Sequence, residues 1–90
     1  MTYNLRRERD GAGDSGYMSI IFFKGEDGNV RHENNARPKV GSVIRVGSIY
    51  GRSYAAQDYW QTTMITEILE ETENRVRFKT GNSTYVWEIL

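Results

Sequence analysis

Apolar residues are sparse in the first sixteen positions and then gather into short runs. From Tyr17 to Phe23 the chain is almost continuously apolar and rich in β-branched and aromatic residues, which predicts a strand. Gly25-Glu26-Asp27-Gly28-Asn29 closes it, and Asp27-Gly28 is a type I′ hairpin signal that needs positive φ at both residues. The return strand, Asn29 to Glu33, is polar, so it is expected to be short or to lie at an edge. The turn cluster Asn34-Asn35-Ala36-Arg37-Pro38 holds the only proline and divides the chain. Val43 to Val46 reads as a strand, with Gly41 and Gly47 marking bends or close backbone approach.

The C-terminal pattern is sharper. A two-residue loop at Gly81-Asn82 pairs Thr80 with Ser83. Phe78 then faces Tyr85, Val76 faces Trp87 and Arg75 faces Glu88. Val76, Phe78, Tyr85, Trp87 and Ile89 share one side, while Arg75, Arg77, Lys79, Thr84, Val86 and Glu88 share the other. Gly81 is expected at positive φ. Asp58 to Thr72 supports two readings. One is a long bent strand, from the β-branched Thr62, Thr63, Ile65, Thr66 and Ile68. The other is a helix capped by Asp58, with Trp60, Met64, Ile65, Ile68 and Leu69 as its apolar stripe. In the strand reading, the acidic run 67–73 pairs across a hairpin with Arg75, Arg77 and Lys79.

Residues 1–16 read as a flexible N-terminal tail, because Ala12 is the only apolar side chain between Arg6 and Gly16. Residues 17–90 read as a single β-rich domain. The expected fold is all-β: a five- or six-stranded antiparallel barrel or curved sheet, SH3-like or OB-like. The alternative is α+β with one helix at about 58–72.

Composition narrows the functional classes. The 90 residues carry 12 Lys+Arg against 12 Asp+Glu, which argues against a polybasic arm or an acidic mimic of nucleic acid. With no cysteine and a single histidine, disulfide scaffolds, thiolate metal sites and multi-histidine sites are excluded, and no cofactor is expected. No apolar run approaches the roughly 18 residues of a membrane span. A cytoplasmic location is expected, with no membrane partner.

Trp60-Gln61-Thr62-Thr63-Met64-Ile65-Thr66-Glu67-Ile68, followed by Phe78-Lys79-Thr80-Gly81-Asn82-Ser83-Thr84-Tyr85, resembles a pattern in small phage and prophage proteins. In those, a W-x-T-[ST]-x-[IV] strand leads to an F-x-T-x-N-S-x-Y hairpin. The resemblance covers residues 60–87. It implies a β-rich accessory protein of a mobile element, of the kind that modulates host machinery or counters host defence, as anti-CRISPR proteins do. It carries over no functional residues.

Catalytic candidates are weak. Gly13-Asp14-Ser15-Gly16 copies a serine-protease string, but it lies ahead of the only histidine. His32 lacks an orienting partner, since Glu33 beside it on a strand points to the other face. Glu70 and Glu71 diverge on a strand, whereas a glycosidase pair converges across about 5–9 Å. No phosphate-binding loop is present. The chain is therefore read as non-enzymatic.

Two surfaces remain. Residues 34–57 hold four basic side chains and no acidic one. Arg37, Lys39, Arg45, Tyr50, Arg52, Tyr54 and Tyr59 form a partner-binding set, in the Arg/Tyr chemistry of protein hot spots. The same chemistry suits single-stranded nucleic acid, for which weak, salt-sensitive binding is expected. The Tyr17–Phe23 strand is apolar on both faces. Met18, Ile20 and Phe22 are either covered by another element or form a self-association surface, as in a homodimer. The favoured partner is a host protein or a protein–nucleic acid complex.

Overall fold

A computed structural model describes residues 1–48 and 59–90. These residues form nine strands and no helix: β1 (Tyr3–Arg7), β2 (Gly13–Gly16), β3 (Met18–Lys24), β4 (Val30–Asn34), β5 (Val43–Gly47), β6 (Tyr59–Gln61), β7 (Ile65–Glu71), β8 (Arg75–Thr80) and β9 (Thr84–Ile89). They make two antiparallel sheets, ordered β2-β1-β9-β8-β7 and β4-β3-β5-β6. The all-β expectation holds. The strand count is higher than expected, and the sheets do not close into a barrel. They enclose a core in which Leu5, Ile21, Ile44, Val46, Ile65, Val76, Phe78 and Trp87 are fully buried.

The β8–β9 hairpin has the register read from its alternation: Arg75 opposite Glu88, Val76 opposite Trp87, Phe78 opposite Tyr85. Phe78 and Tyr85 stack with ring centroids 5.5 Å apart. Trp87 stacks on Tyr3 at 5.7 Å. Its indole N–H donates to Ser19 Oγ at 2.9 Å, and that hydroxyl donates to the Ala36 carbonyl at 2.8 Å. This buried relay ties the two sheets together, and burial in a low-dielectric core makes each of its bonds costly to leave unmade.

Both tight turns differ from expectation. Gly81 does not take positive φ. The Thr80 hydroxyl shapes that turn instead, accepting from the N–H groups of Asn82 at 3.3 Å and Ser83 at 3.2 Å. In the β3–β4 hairpin only Gly28 is left-handed, at φ 82°. Its N–H donates to the Gly25 carbonyl at 3.0 Å, giving a three-residue loop with a terminal glycine rather than a type I′ turn. Asp27 is held away from positive φ by its own carboxylate, which accepts from the Asn29 N–H at 3.1 Å.

Residues 59–71 are extended, not helical. The helical stripe fails because Ile65 is fully buried while Met64 is 57% exposed. The long bent strand is realised as β6 and β7, joined by a corner at 62–64. Thr62 N–H donates to the Ile44 carbonyl and Ile65 N–H to the Ser42 carbonyl, so the chain follows β5 up to Ile65. It then crosses to β8, with register shifts after Ile65 and after Ile68. Switching sheets at a corner lets one segment serve both layers. Glu70 meets Arg75 at 3.8 Å and Arg77 at 4.0 Å, the expected acidic–basic pairing across the hairpin.

The N-terminal tail expectation is overturned. Residues 1–16 supply β1 and β2, and β1 lies between β2 and β9, with Leu5 opposite Trp87. Tyr3 and Leu5 are buried by a period-two pattern only two residues long, too short to stand out. Gly13 and Gly16 are packing residues, not flexible joints. A Cβ on Gly16 would lie 2.4 Å from the Gly47 carbonyl oxygen, so only glycine allows the chain to pass from one sheet to the other there.

Candidate functional site

The site is the outer face of the four-stranded sheet, and it follows from the double-faced apolar pattern of β3. Ser19 and Ile21 turn inward and are fully buried. Met18, Ile20 and Phe22 therefore turn outward, where each is half-buried. Register places Ile20 between Asn34 and Arg45, Phe22 between His32 and Val43, and Met18 beside Gly47. On the next strand, Tyr59 lies beside Gly47 and Gln61 beside Arg45.

Arg45 is the centre of this face. Its guanidinium carbon is 4.7 Å from the Phe22 ring centroid and 4.4 Å from that of Tyr59. Its Nε and Nη2 donate to Gln61 Oε1 at 3.0 and 2.7 Å. The cation is flattened between two rings, which fixes a long side chain at low entropic cost and keeps the charge at the surface. His32 extends the aromatic surface, its ring centroid 6.2 Å from that of Phe22. At one end an apolar hollow opens between Phe22, Val30, Val43 and Met64. Val30 and Met64 are 68% and 57% exposed there. Among the described residues that register places on this face, the charged side chains are Lys24 and Arg45, with no carboxylate.

The fold thus merges parts of two sets that sequence kept apart: Arg45 and Tyr59 from one, Met18, Ile20 and Phe22 from the other. Arg37 goes elsewhere. Its Nε donates to Glu71 at 3.0 Å, its Nη1 to the Glu73 carbonyl at 2.6 Å and its Nη2 to the Thr72 carbonyl. Its guanidinium also lies 5.4 Å from the Trp87 ring, so it clamps the β7–β8 turn to the core. Lys39 pairs with Glu33 at 3.4 Å, away from the outer face. Tyr50, Arg52 and Tyr54 lie outside the described residues. His32, Val30, Val43 and Gln61 were missed as members of the site. The β3–β4 register, had the hairpin loop been counted as three residues, would have placed His32 beside Phe22.

Several other charged groups are spent on structure. Two Arg7 bonds and the Ala12 N–H hold the Asp10 carboxyl far below the usual range, at about 2. The Arg77 guanidinium, donating to Glu8 at 2.7 and 3.0 Å, lowers the Glu8 carboxyl in the same way. Glu70 and Glu71 diverge to different arginines. Among the described residues no group of three or more His, Asp or Glu is placed to hold a metal ion. Nor is there a helix long and apolar enough to cross a membrane.

No protein-family model, curated protein or solved structure matches the chain.

Proposed function

We propose that this chain is a non-catalytic binding protein that docks on a host protein through the outer face of its four-stranded sheet. The observation that carries the reading is the composition of that face: Met18, Ile20, Phe22, Tyr59 and a ring-clamped Arg45 side by side, with no carboxylate among them. Aromatic, Met and Arg side chains are enriched where protein partners are gripped. The motif resemblance at residues 60–87 supports the biological setting, a phage-type accessory protein that inhibits or modulates its target in the host cytoplasm, as an anti-CRISPR does.

Single-stranded nucleic acid is the second reading, favoured by the Phe22 and Tyr59 rings beside the Arg45 guanidinium. It is the weaker one. Arg37 is tied to Glu71 and to the β7–β8 turn, and Lys39 lies away from the outer face beside Glu33. Among the described residues the cations on that face are Lys24 and Arg45, too few for tight phosphate binding, which grows with the number of contacts made.

The test is affinity capture from nuclease-treated host lysate with wild type and Phe22→Glu. The reading expects a protein captured by wild type and lost with Phe22→Glu, whose circular dichroism and cooperative unfolding show that the fold is retained. Retention of that protein by Phe22→Glu overturns it. Submicromolar binding of single-stranded DNA or RNA at physiological salt puts the second reading in its place.

A further inference from the structure

Among the described residues the four-stranded sheet ends in β4, whose five residues are all exposed and which has β3 as its one neighbour in the sheet. Sheet edges are usually disrupted by bulges, prolines or inward charges. At the edge of the other sheet, β7 is irregular, with two register shifts and several glutamates. By contrast, β4 pairs with β3 over five residues without a shift or a proline, and the two charges it sets on the inner face, Arg31 beside Phe23 and Glu33 beside Ile21, are of opposite sign. The Gly25 N–H bond to the Asn29 carbonyl sets the alternation of this ladder. Arg31 and Glu33 direct their backbone groups to β3, while Val30, His32 and Asn34 direct theirs to the open side.

We propose that two copies of this chain pair along β4, antiparallel about His32, to make one continuous eight-stranded sheet. In that register Arg31 of each copy stands opposite Glu33 of the other, so the contact holds two reciprocal Arg–Glu pairs. Both fall at non-hydrogen-bonded positions, where side chains across a ladder are closest. Val30 meets Asn34, and His32 meets its own equivalent. The register is self-selecting. A shift of two residues one way sets Arg31 against Arg31, and the other way sets Glu33 against Glu33. In the single chain Arg31 reaches Asp27 at 3.0 Å and Glu33 reaches Lys39 at 3.4 Å. Both are exposed surface pairs, which hold side chains weakly and yield readily to a new partner.

Stacking two outer faces instead would oppose the Lys24 and Arg45 cations of one copy to those of the other. Edge pairing avoids this. Its two-fold axis is perpendicular to the sheet, so both outer faces look the same way and double the surface offered to a target. One short strand per copy is a small contact, and the dimer is correspondingly weak and concentration-dependent. The dimer stands independently of what the outer face binds.

Sedimentation equilibrium tests the pairing. The wild-type mass should climb from 10.4 kDa towards twice that value as concentration rises into the millimolar range. Arg31→Glu and Glu33→Arg should each stay monomeric alone, associate when mixed, and regain self-association when combined in one chain. His32→Pro removes an N–H that faces the open side and should abolish the dimer without disturbing the β3 ladder. A wild type that stays monomeric throughout overturns the proposal. So does association that survives the single charge reversals, or that Phe22→Glu abolishes and Arg31→Glu does not. The charge reversals discriminate by themselves, whether or not His32→Pro folds.

Discussion

The β8–β9 and β3–β4 hairpins are of similar length and are built on opposite plans. In β8–β9 one face is apolar and sealed, with Val76, Phe78, Tyr85 and Trp87 buried, and both flanks are covered by β7 and β1. In β3–β4 only the inner face of β3 is sealed. The outer face leaves Met18, Ile20 and Phe22 half-buried, and no strand among the described residues covers the edge of β4. The first hairpin supplies cohesion and the second supplies surface. An apolar residue that the fold does not need for its core, held in place by a cation and another ring, is what separates the proposed binding face from the stabilising one.

The contrast breaks most readily at Trp87. Trp87→Ala leaves a large cavity and removes the N–H that the Ser19 hydroxyl accepts, at an expected cost of about 3–5 kcal/mol. Phe22→Ala, on the open face, should cost well under half of that. Urea unfolding of both variants measures the difference, and equal losses would erase the distinction between the hairpins. Glycines give the next contrast. Gly16→Val drives a side chain into the Gly47 carbonyl and should cost about 1–3 kcal/mol or more. A Cβ on Gly81 meets nothing within 4 Å, so Gly81→Val should change thermal stability by about 0.5 kcal/mol or less. A reversed order would mean that the sheet-to-sheet crossing at Gly16 is drawn wrongly.

Arg37 sharpens the division of labour among the basic residues. Arg37→Ala loses the Glu71 pair and two bonds to carbonyls at the β7–β8 turn, and should lower stability by about 1–2 kcal/mol. Target capture should be unaffected, because Arg37 stands off the outer face. The smallest effect is acid sensitivity in the β1–β2 hairpin. Asp10 titrates at about 2 instead of 3.8, so its ionised form favours the folded state. That stabilisation is complete above pH 3.8 and is lost as pH falls through about 2. NMR titration of the Asp10 carboxyl should give a midpoint near 2, and Arg7→Gln should move it back towards 3.8.

What could be read from the sequence follows the same division. Strict alternation with a short polar turn specified every pairing in β8–β9, because slipping by one residue would put Trp87 outside. The β1–β2 hairpin was hidden because Gly13 and Gly16 look like flexibility until the backbones they accommodate are in place. The corner at 62–64 was hidden because a strand that changes sheets has the same local pattern as one that does not. At the site, the apolar excess of β3 and the chemistry of Arg45 and Tyr59 were visible. Their meeting was not, since it depends on the register of β3, β5 and β6 together. Arg37 was misplaced for a similar reason: its partner, Glu71, is 34 residues away along the chain.

Photocrosslinking tests the binding face most directly. A benzophenone side chain in place of Ile20, on the outer face of the four-stranded sheet, is compared with one in place of Lys79, on the outer face of the other. The account predicts that the captured host protein is crosslinked from position 20 and not from position 79. Crosslinking from position 79 alone would contradict it.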